Sequence, residues 1–225
     1  VTLINGKGVL NGNRQVHIVQ NDGDEIVANA PHIVIATGAR TRPLPGINLD
    51  APQIWTSREA LTPEEIPKSL LVIGSGAIGV EFASFYNTFG SEITVVEMLD
   101  QILPAEDSTV TGIAKKMFER RGINFLLSSK VSELLSDGEQ IVAKIEQNGQ
   151  SQALTFDRVI SCIGVMPNVE ELGLQDAGVK LGEKGFVLID DFCRTTVDGI
   201  YAVGDVAGGP CLAHKASHEA IHCIE

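Results

Sequence analysis

Leu70-Leu71-Val72-Ile73 runs without a break into Gly74-Ser75-Gly76-Ala77-Ile78-Gly79-Val80-Glu81, and no other stretch limits the fold as tightly. Four apolar residues before a glycine turn read as a buried strand. Beyond the turn Phe82, Phe85, Tyr86 and Phe89 recur at helical spacing until Gly90 stops the run, and Glu92 to Glu97 reads as a second strand. Strand, Gly-x-Gly-x-x-Gly turn, helix and strand in that order make a βαβ unit, in which each glycine has its own task. Gly74 permits the tight turn, Gly76 leaves a pyrophosphate room at the helix N-terminus, and Gly79 lets helix and sheet approach. Glu97 lies 23 residues beyond Gly74, at the end of the second strand, where a carboxylate accepts both hydroxyls of an adenosine ribose and repels a 2′-phosphate. No Arg or Lys follows in Met98-Leu99-Asp100, so the pattern points to NAD rather than NADP. The bland alternative, turn glycines and a surface glutamate, is disfavoured by the strand and helix around them.

A chain of 225 residues has room for one or two domains with a proper core. The formal charge of −12 argues against nucleic acid or an anionic membrane as partner. The apolar runs are strand-sized, far short of a membrane span, and no signal pattern opens the chain. Cys162, Cys193, Cys211 and Cys223 show neither C-x-x-C nor zinc-type spacing, which suits scattered reduced thiols and a cytoplasmic protein. The chain lacks an initiator Met and starts as if in mid-element, so a fragment is expected.

Along the chain, Gln15 to Gln20 and Glu25 to Asn29 flank Asn21-Asp22-Gly23-Asp24 and predict a hairpin. Ile33 to Ala36 reads as a buried strand ending at Thr37-Gly38-Ala39, and the proline-rich stretch Arg40 to Gly46 reads as a connector. Past the fingerprint unit, a helix is predicted from about Ser108 to Arg121, with Val110, Ile113, Ala114, Met117 and Phe118 as its apolar positions and Gly122 as its cap. Ile123 to Leu127 reads as a third parallel strand. Asp137-Gly138 and Asn148-Gly149 then separate three alternating segments into an antiparallel meander, and Arg158 to Cys162 is a buried strand running to Gly164. Further strands are predicted at Phe186 to Ile189 and at Ile200 to Asp205, and a helix from Leu212 to Glu225. The fold class is therefore α/β: a Rossmann-like domain of parallel sheet plus antiparallel meander, with part of a second dinucleotide-type domain around it.

Two strand ends repeat. Ile33 to Gly38 aligns with Val159 to Gly164, each after a hairpin and before a proline, as in two copies of one design. Gly74 stands 90 residues before Gly164, and the same distance before Gly38 falls ahead of Val1. A fingerprint belonging to the first copy is thus expected upstream of this sequence.

The fingerprint unit, Ala36-Thr37-Gly38, and the run Ala202-Val203-Gly204-Asp205-Val206-Ala207-Gly208-Gly209-Pro210-Cys211-Leu212-Ala213-His214-Lys215-Ala216 together resemble the flavoprotein disulfide reductases. The last run, with Val95-Val96-Glu97 and Gln101-Ile102-Leu103-Pro104, resembles their dihydrolipoamide dehydrogenase branch in particular. In that family an FAD domain is interrupted by an NAD domain. The resemblance implies partial FAD-binding pieces at 1–45 and 166–225 and an NAD-binding domain at 46–165. It implies NAD contacts at Gly74, Ser75, Gly76, Ala77, Ile78, Gly79, Val80, Glu81, Glu97, Val131 and Gly164. It implies FAD contacts at Gly8, Thr37, Gly38, Ala39, Asp205 (on the ribitol) and the backbone of Cys211, Leu212, Ala213 and His214. Members of the branch form homodimers, work with 2-oxo acid dehydrogenase complexes and their lipoyl domains, and pass electrons from dihydrolipoamide through FAD to NAD.

The sequence also departs from the pattern. Val165 stands where members often carry Arg. The family's Cys-x-x-x-x-Cys pair, its FAD fingerprint and its His–Glu pair match nothing here, and neither does the lysine that pairs with Glu81 near the nicotinamide. No catalytic residue is therefore assigned. The chain alone is expected to bind NAD(H), to be inactive and not to retain FAD. Two other readings come from the residues: a non-enzymatic NAD-sensing domain, against which Gly204-Asp205 speaks, and a metal held by His214, His218 and His222 on one helical face. Another flavoprotein disulfide reductase is the remaining alternative.

Overall fold

An antiparallel sheet opens the chain, with β1 (Gly6–Leu10), β2 (Gln15–Gln20) and β3 (Glu25–Asn29) side by side in that order. The predicted hairpin is β2–β3, closed where Gly23 takes a φ of +95°. β4 (Ile33–Ile35) and β5 (Ala39–Thr41) follow. The computed structural model describes residues 1–225 and divides into two units, Val1–Arg40 with Val165–Glu225, and Thr41–Gly164.

The central unit holds β6 (Ile54–Trp55), α1 (Ser57–Leu61), β7 (Ser69–Ile73), α2 (Ala77–Thr88), β8 (Glu92–Val96), α3 (Ser108–Arg120) and β9 (Asn124–Leu126). Then come the meander β10 (Ser129–Ser136), β11 (Ile141–Gln147) and β12 (Gln150–Phe156), and the returning strand β13 (Arg158–Ser161). A parallel sheet runs in the order β6-β13-β7-β8-β9. β7 lies inside it, and its side chains alternate between two cores because strand residues alternate between faces. Leu70 and Val72 pack with Ala83 and Tyr86 of α2, while Leu71 and Ile73 pack with Ile141, Ala143 and Ile145 of the meander. A strand covered by helices on one face and a second sheet on the other is apolar at every position, hence the unbroken run. Full burial of each such side chain contributes about 1.5–3 kcal/mol.

The edge strand β6 and the short helix α1 carried no predicted signal, being two and five residues long. Thr56 and Glu59 cap α1 reciprocally. α2 turns Gly79, Val80, Ala83 and Tyr86 inward, and the Tyr86 hydroxyl donates to Ala60 O at 2.7 Å; Phe85 and Phe89, read as part of its apolar pattern, are exposed. On α3 the inward residues are Thr111, Ala114 and Phe118. Val110, Ile113 and Met117 stand 60%, 59% and 60% exposed, because no element covers that side of the helix.

The other unit gains β14 (Val165–Pro167), β15 (Ile200–Ala202), a 3₁₀ turn at Gly204–Ala207 and α4 (Ala213–Ile224). β4 pairs with β15 in parallel, and β5 pairs with β14. Its core joins Leu10, Ile35, Leu174, Val187, Ala202 and Val206. The predicted strand Phe186 to Ile189 is not one: only a single bridge forms, between Leu181 and Val187. Its amides are used singly, Val187 N by Val206 O and Leu188 N by Lys180 O, so no ladder develops. The expected strand through Asp205 ends at Ala202, and Asp205 lies in the 3₁₀ turn just beyond. No helix is long and apolar enough to cross a membrane.

Candidate nucleotide-binding sites

β7 ends where Gly74 takes a φ of +99°, its N–H donating to Val96 O at 2.8 Å. A side chain there would be strained by the backbone and would meet Cys162 O at 2.6 Å. At Gly79 a Cβ would lie 2.0 Å from Gly74 O, so the third glycine brings α2 against the turn. Gly76 differs from both, since a Cβ built on it meets nothing within 4 Å. It caps α2 with no side-chain bond, and the first turn carries no acidic residue. The first N–H groups of a helix lack intrahelical partners and carry its positive dipole end, the arrangement that takes a phosphate. Ala77 and Ile78 are exposed there, Val80 is core, and Glu81 is exposed on α2.

Glu97 follows β8 immediately. Its Oε2 accepts from Ser75 N at 2.8 Å and from Ser75 Oγ at 2.9 Å, and its Oε1 accepts from Leu99 N at 2.9 Å. The carboxylate is therefore bonded to the glycine turn it was expected to accompany, a link that residue spacing alone does not reveal. Ser75 is 0% exposed, and its carbonyl accepts from Leu103 N at 2.8 Å. Leu103 holds this position at a φ of +48°, while the adjacent Ile102 is buried. Beneath the turn, burial pushes the Cys162 thiol up to about 12, so it stays protonated.

Val131, expected at the dinucleotide, is 5% exposed with its side chain in the core, so only its main chain is available to a ligand. An open cavity of about 380 Å³ adjoins this end of the sheet, lined among others by Met98, Ser129, Lys130, Lys144 and Glu146. Ser129 N donates to Glu97 O, which joins the cavity wall to the Glu97 backbone. The two lysines were missed because they come from β10 and β11, far from Glu97 in sequence. Gly164 closes the unit at a φ of +103°, and its carbonyl accepts from Arg42 N at 2.9 Å.

In the other unit, Thr37, Gly38 and Ala39 follow β4 while Asp205 follows β15, and the two strands are parallel neighbours. These residues therefore share the carboxyl edge of that pair, the edge where open α/β sheets place ligands. Gly38 has a φ of +69° and nothing within 4 Å of its Cβ direction. Asn168 holds this segment at three points: its N donates to Gly38 O, its Nδ2 to Thr37 O, and its carbonyl accepts from Thr37 Oγ1. Asn168 carried no signal in the sequence. Gly204 N donates to Glu219 Oε2 at 2.7 Å, and Lys215 bridges Glu219 and Gly208 O. Cys211, Leu212, Ala213 and His214 are exposed where α4 begins. Gly8 lies inside the β1–β2 ladder opposite Ile18. His218 and His222 border a second cavity near Asp190 and Cys193, and His222 stacks on Phe192; no three His, Cys, Asp or Glu side chains are grouped to hold a metal.

Residues 1–220 match the family described as pyridine nucleotide-disulphide oxidoreductase. The dihydrolipoyl dehydrogenase of Zymomonas mobilis is 48% identical over 226 residues, which cover 100% of this chain and 48% of that protein. The dihydrolipoyl dehydrogenase of Rhizobium etli is 52% identical over 197 residues, covering 87% of this chain and 41% of that protein. Among solved structures, the HOCl-induced flavoprotein disulfide reductase RclA from Escherichia coli is similar at a TM-score of 0.86 and 26% identity, over 97% of this chain and 48% of that one. The chain spans about half the length of the curated relatives it matches.

Proposed function

The chain belongs to the pyridine nucleotide-disulphide oxidoreductase family, and from that premise we propose that it supplies the NAD site and part of the FAD site of a dihydrolipoyl dehydrogenase. Such an enzyme reoxidises the dihydrolipoamide of 2-oxo acid dehydrogenase complexes and works as a cytoplasmic homodimer that receives lipoyl domains. In this reading residues 46–165 form the NAD domain and residues 1–45 and 166–225 the FAD-binding pieces; the compact units Thr41–Gly164, and Val1–Arg40 with Val165–Glu225, support that division.

Gly76 and the N–H groups of Ala77, Ile78 and Gly79 take the pyrophosphate of NAD. Glu97 accepts from the adenosine ribose, and its negative charge disfavours a 2′-phosphate. Val131 contributes main chain only. Glu81, exposed on α2, faces the nicotinamide end, and Gly164 borders it. On the flavin side the shared strand edge at Thr37 to Ala39 and Asp205 fits FAD, with Asp205 on the ribitol and the Cys211 to His214 backbone beside it. Bound FAD supplies the two-electron relay between a dithiol and NAD. This chain's residues orient the two dinucleotides and hold no proton-transfer or thiol step of their own. A different disulfide reductase chemistry is the second reading, supported by the likeness to RclA.

The observation that carries the proposal is the pairing of an open Gly76 with a Glu97 carboxylate bonded to the same turn. Calorimetric titration tests it: NADH binds more tightly than NADPH, and Glu97→Ala weakens NADH by about 1–3 kcal/mol. Gly76→Val, which puts a branched side chain into the open space, abolishes binding and leaves the circular dichroism unchanged. Equal binding of NADPH, or normal binding by Gly76→Val, overturns the assignment.

A further inference from the structure

The fingerprint specifies its glycines and leaves the residue between the first two open; here it is Ser75. A buried serine commonly gives its proton to a nearby backbone carbonyl. Ser75 gives it to Glu97 instead, at 2.9 Å, from a position with no solvent exposure. Backbone and side chain of this one residue thus converge on Oε2, while Oε1 has the single donor Leu99 N. A carboxylate offers about four acceptor positions, two on each oxygen. Both on Oε2 are taken and one on Oε1 is open, so the carboxylate has room for one ribose hydroxyl rather than the two expected from the sequence. Ser75 is itself fixed from the far side through its carbonyl, which accepts from Leu103 N.

We propose that Ser75 is a positioning residue for dinucleotide selection, its hydroxyl fixing the rotation of the Glu97 carboxylate so that Oε1 keeps an acceptor position for a ribose hydroxyl. The inference rests on the dinucleotide reading given above. With the hydroxyl removed, Oε2 keeps only Ser75 N–H, and the carboxylate turns more freely about its terminal torsion, which is intrinsically broad. The site then loses pre-organisation toward the sugar, and its discrimination against a 2′-phosphate falls because the charge is no longer held in one place.

The test is a double-mutant cycle on the 225-residue chain, with NADH and NADPH dissociation constants measured for the parent, Ser75→Ala, Glu97→Ala and the double variant. Ser75→Ala weakens NADH roughly tenfold and narrows the NADH-over-NADPH preference, with its melting curve unchanged. In the Glu97→Ala background the same substitution costs less than about twofold, because the group it acts through is gone. Ser75→Cys fills the position of the hydroxyl with a somewhat larger atom that is only a weak donor, so it behaves as the alanine variant. An equal loss in both backgrounds, or a cysteine variant that binds like the parent, overturns the proposal and leaves the NAD site standing. A parent chain that binds neither nucleotide overturns the NAD site and the proposal with it.

Discussion

The hydroxyl of Ser161 is buried at the end of β13 with no hydrogen-bond partner, whereas the equally buried hydroxyls of Ser75, Ser91 and Ser129 each have one. An unpaired buried polar group costs its desolvation without return. Ser161→Ala is therefore expected to raise the unfolding free energy by about 1 kcal/mol, measured by urea titration; a loss of stability of that size would show that the hydroxyl has a partner after all. At this scale the sequence is informative about glycines and nearly silent about serines. Gly74, Gly76 and Gly79 are recognisable because their spacing implies their roles, and the geometry around each is distinct. Ser75 and Ser161 are the same residue type in adjacent strands' turns and ends. Which is satisfied depends on a carboxylate arriving from elsewhere in the chain.

At the scale of elements, the segments around β5 and β14 are joined by more than their ladder. Thr37 and Asn168 exchange side-chain and backbone bonds, and Arg40 donates from Nη1 to Glu170 Oε2 at 2.9 Å and from Nη2 to Oε1 at 2.6 Å. The Arg40 hydrogen bonds, with backbone N–H donors assisting, hold the Glu170 carboxyl down at about 2 against an ordinary 4.5. A carboxyl depressed in the folded state contributes stability above its unfolded pKa and loses it as pH falls through the folded value. Parent stability should thus drop more steeply between about pH 4.5 and pH 2 than that of Arg40→Ala. Urea midpoints measured across that window decide the matter, and parallel curves for the two proteins would rule the linkage out. Neither Asn168 nor Glu170 was legible beforehand, since each acts on a segment more than a hundred residues away. The long helices and the meander were legible, because their periodicity and turns are local. Phe186 to Ile189 misled for the opposite reason: its composition suits a strand, but its amides are claimed one at a time by Val206 and Lys180.

For the whole molecule, the four thiols are Cys162 and Cys193, both buried, together with Cys211 and Cys223. None of them shares the Cys-x-x-x-x-Cys spacing of a redox pair. The 225 residues by themselves are therefore expected to bind NADH yet to give no lipoamide-dependent NADH oxidation, followed by absorbance; turnover would mean that thiols other than a close pair accept the electrons. Sequence alone determined the α/β class, the βαβ unit, the glycine turn and the repeated strand ending, because each rests on a local period or on a backbone conformation that few residues permit. Tertiary structure alone decided the rest. It set β6 at the sheet edge, left Val110, Ile113 and Met117 of α3 uncovered, brought Lys130 and Lys144 to the cavity beside Met98, and fastened Glu97 to Ser75. These outcomes depend on which surfaces meet when distant segments pack, and such contacts leave no periodic trace in the chain that makes them.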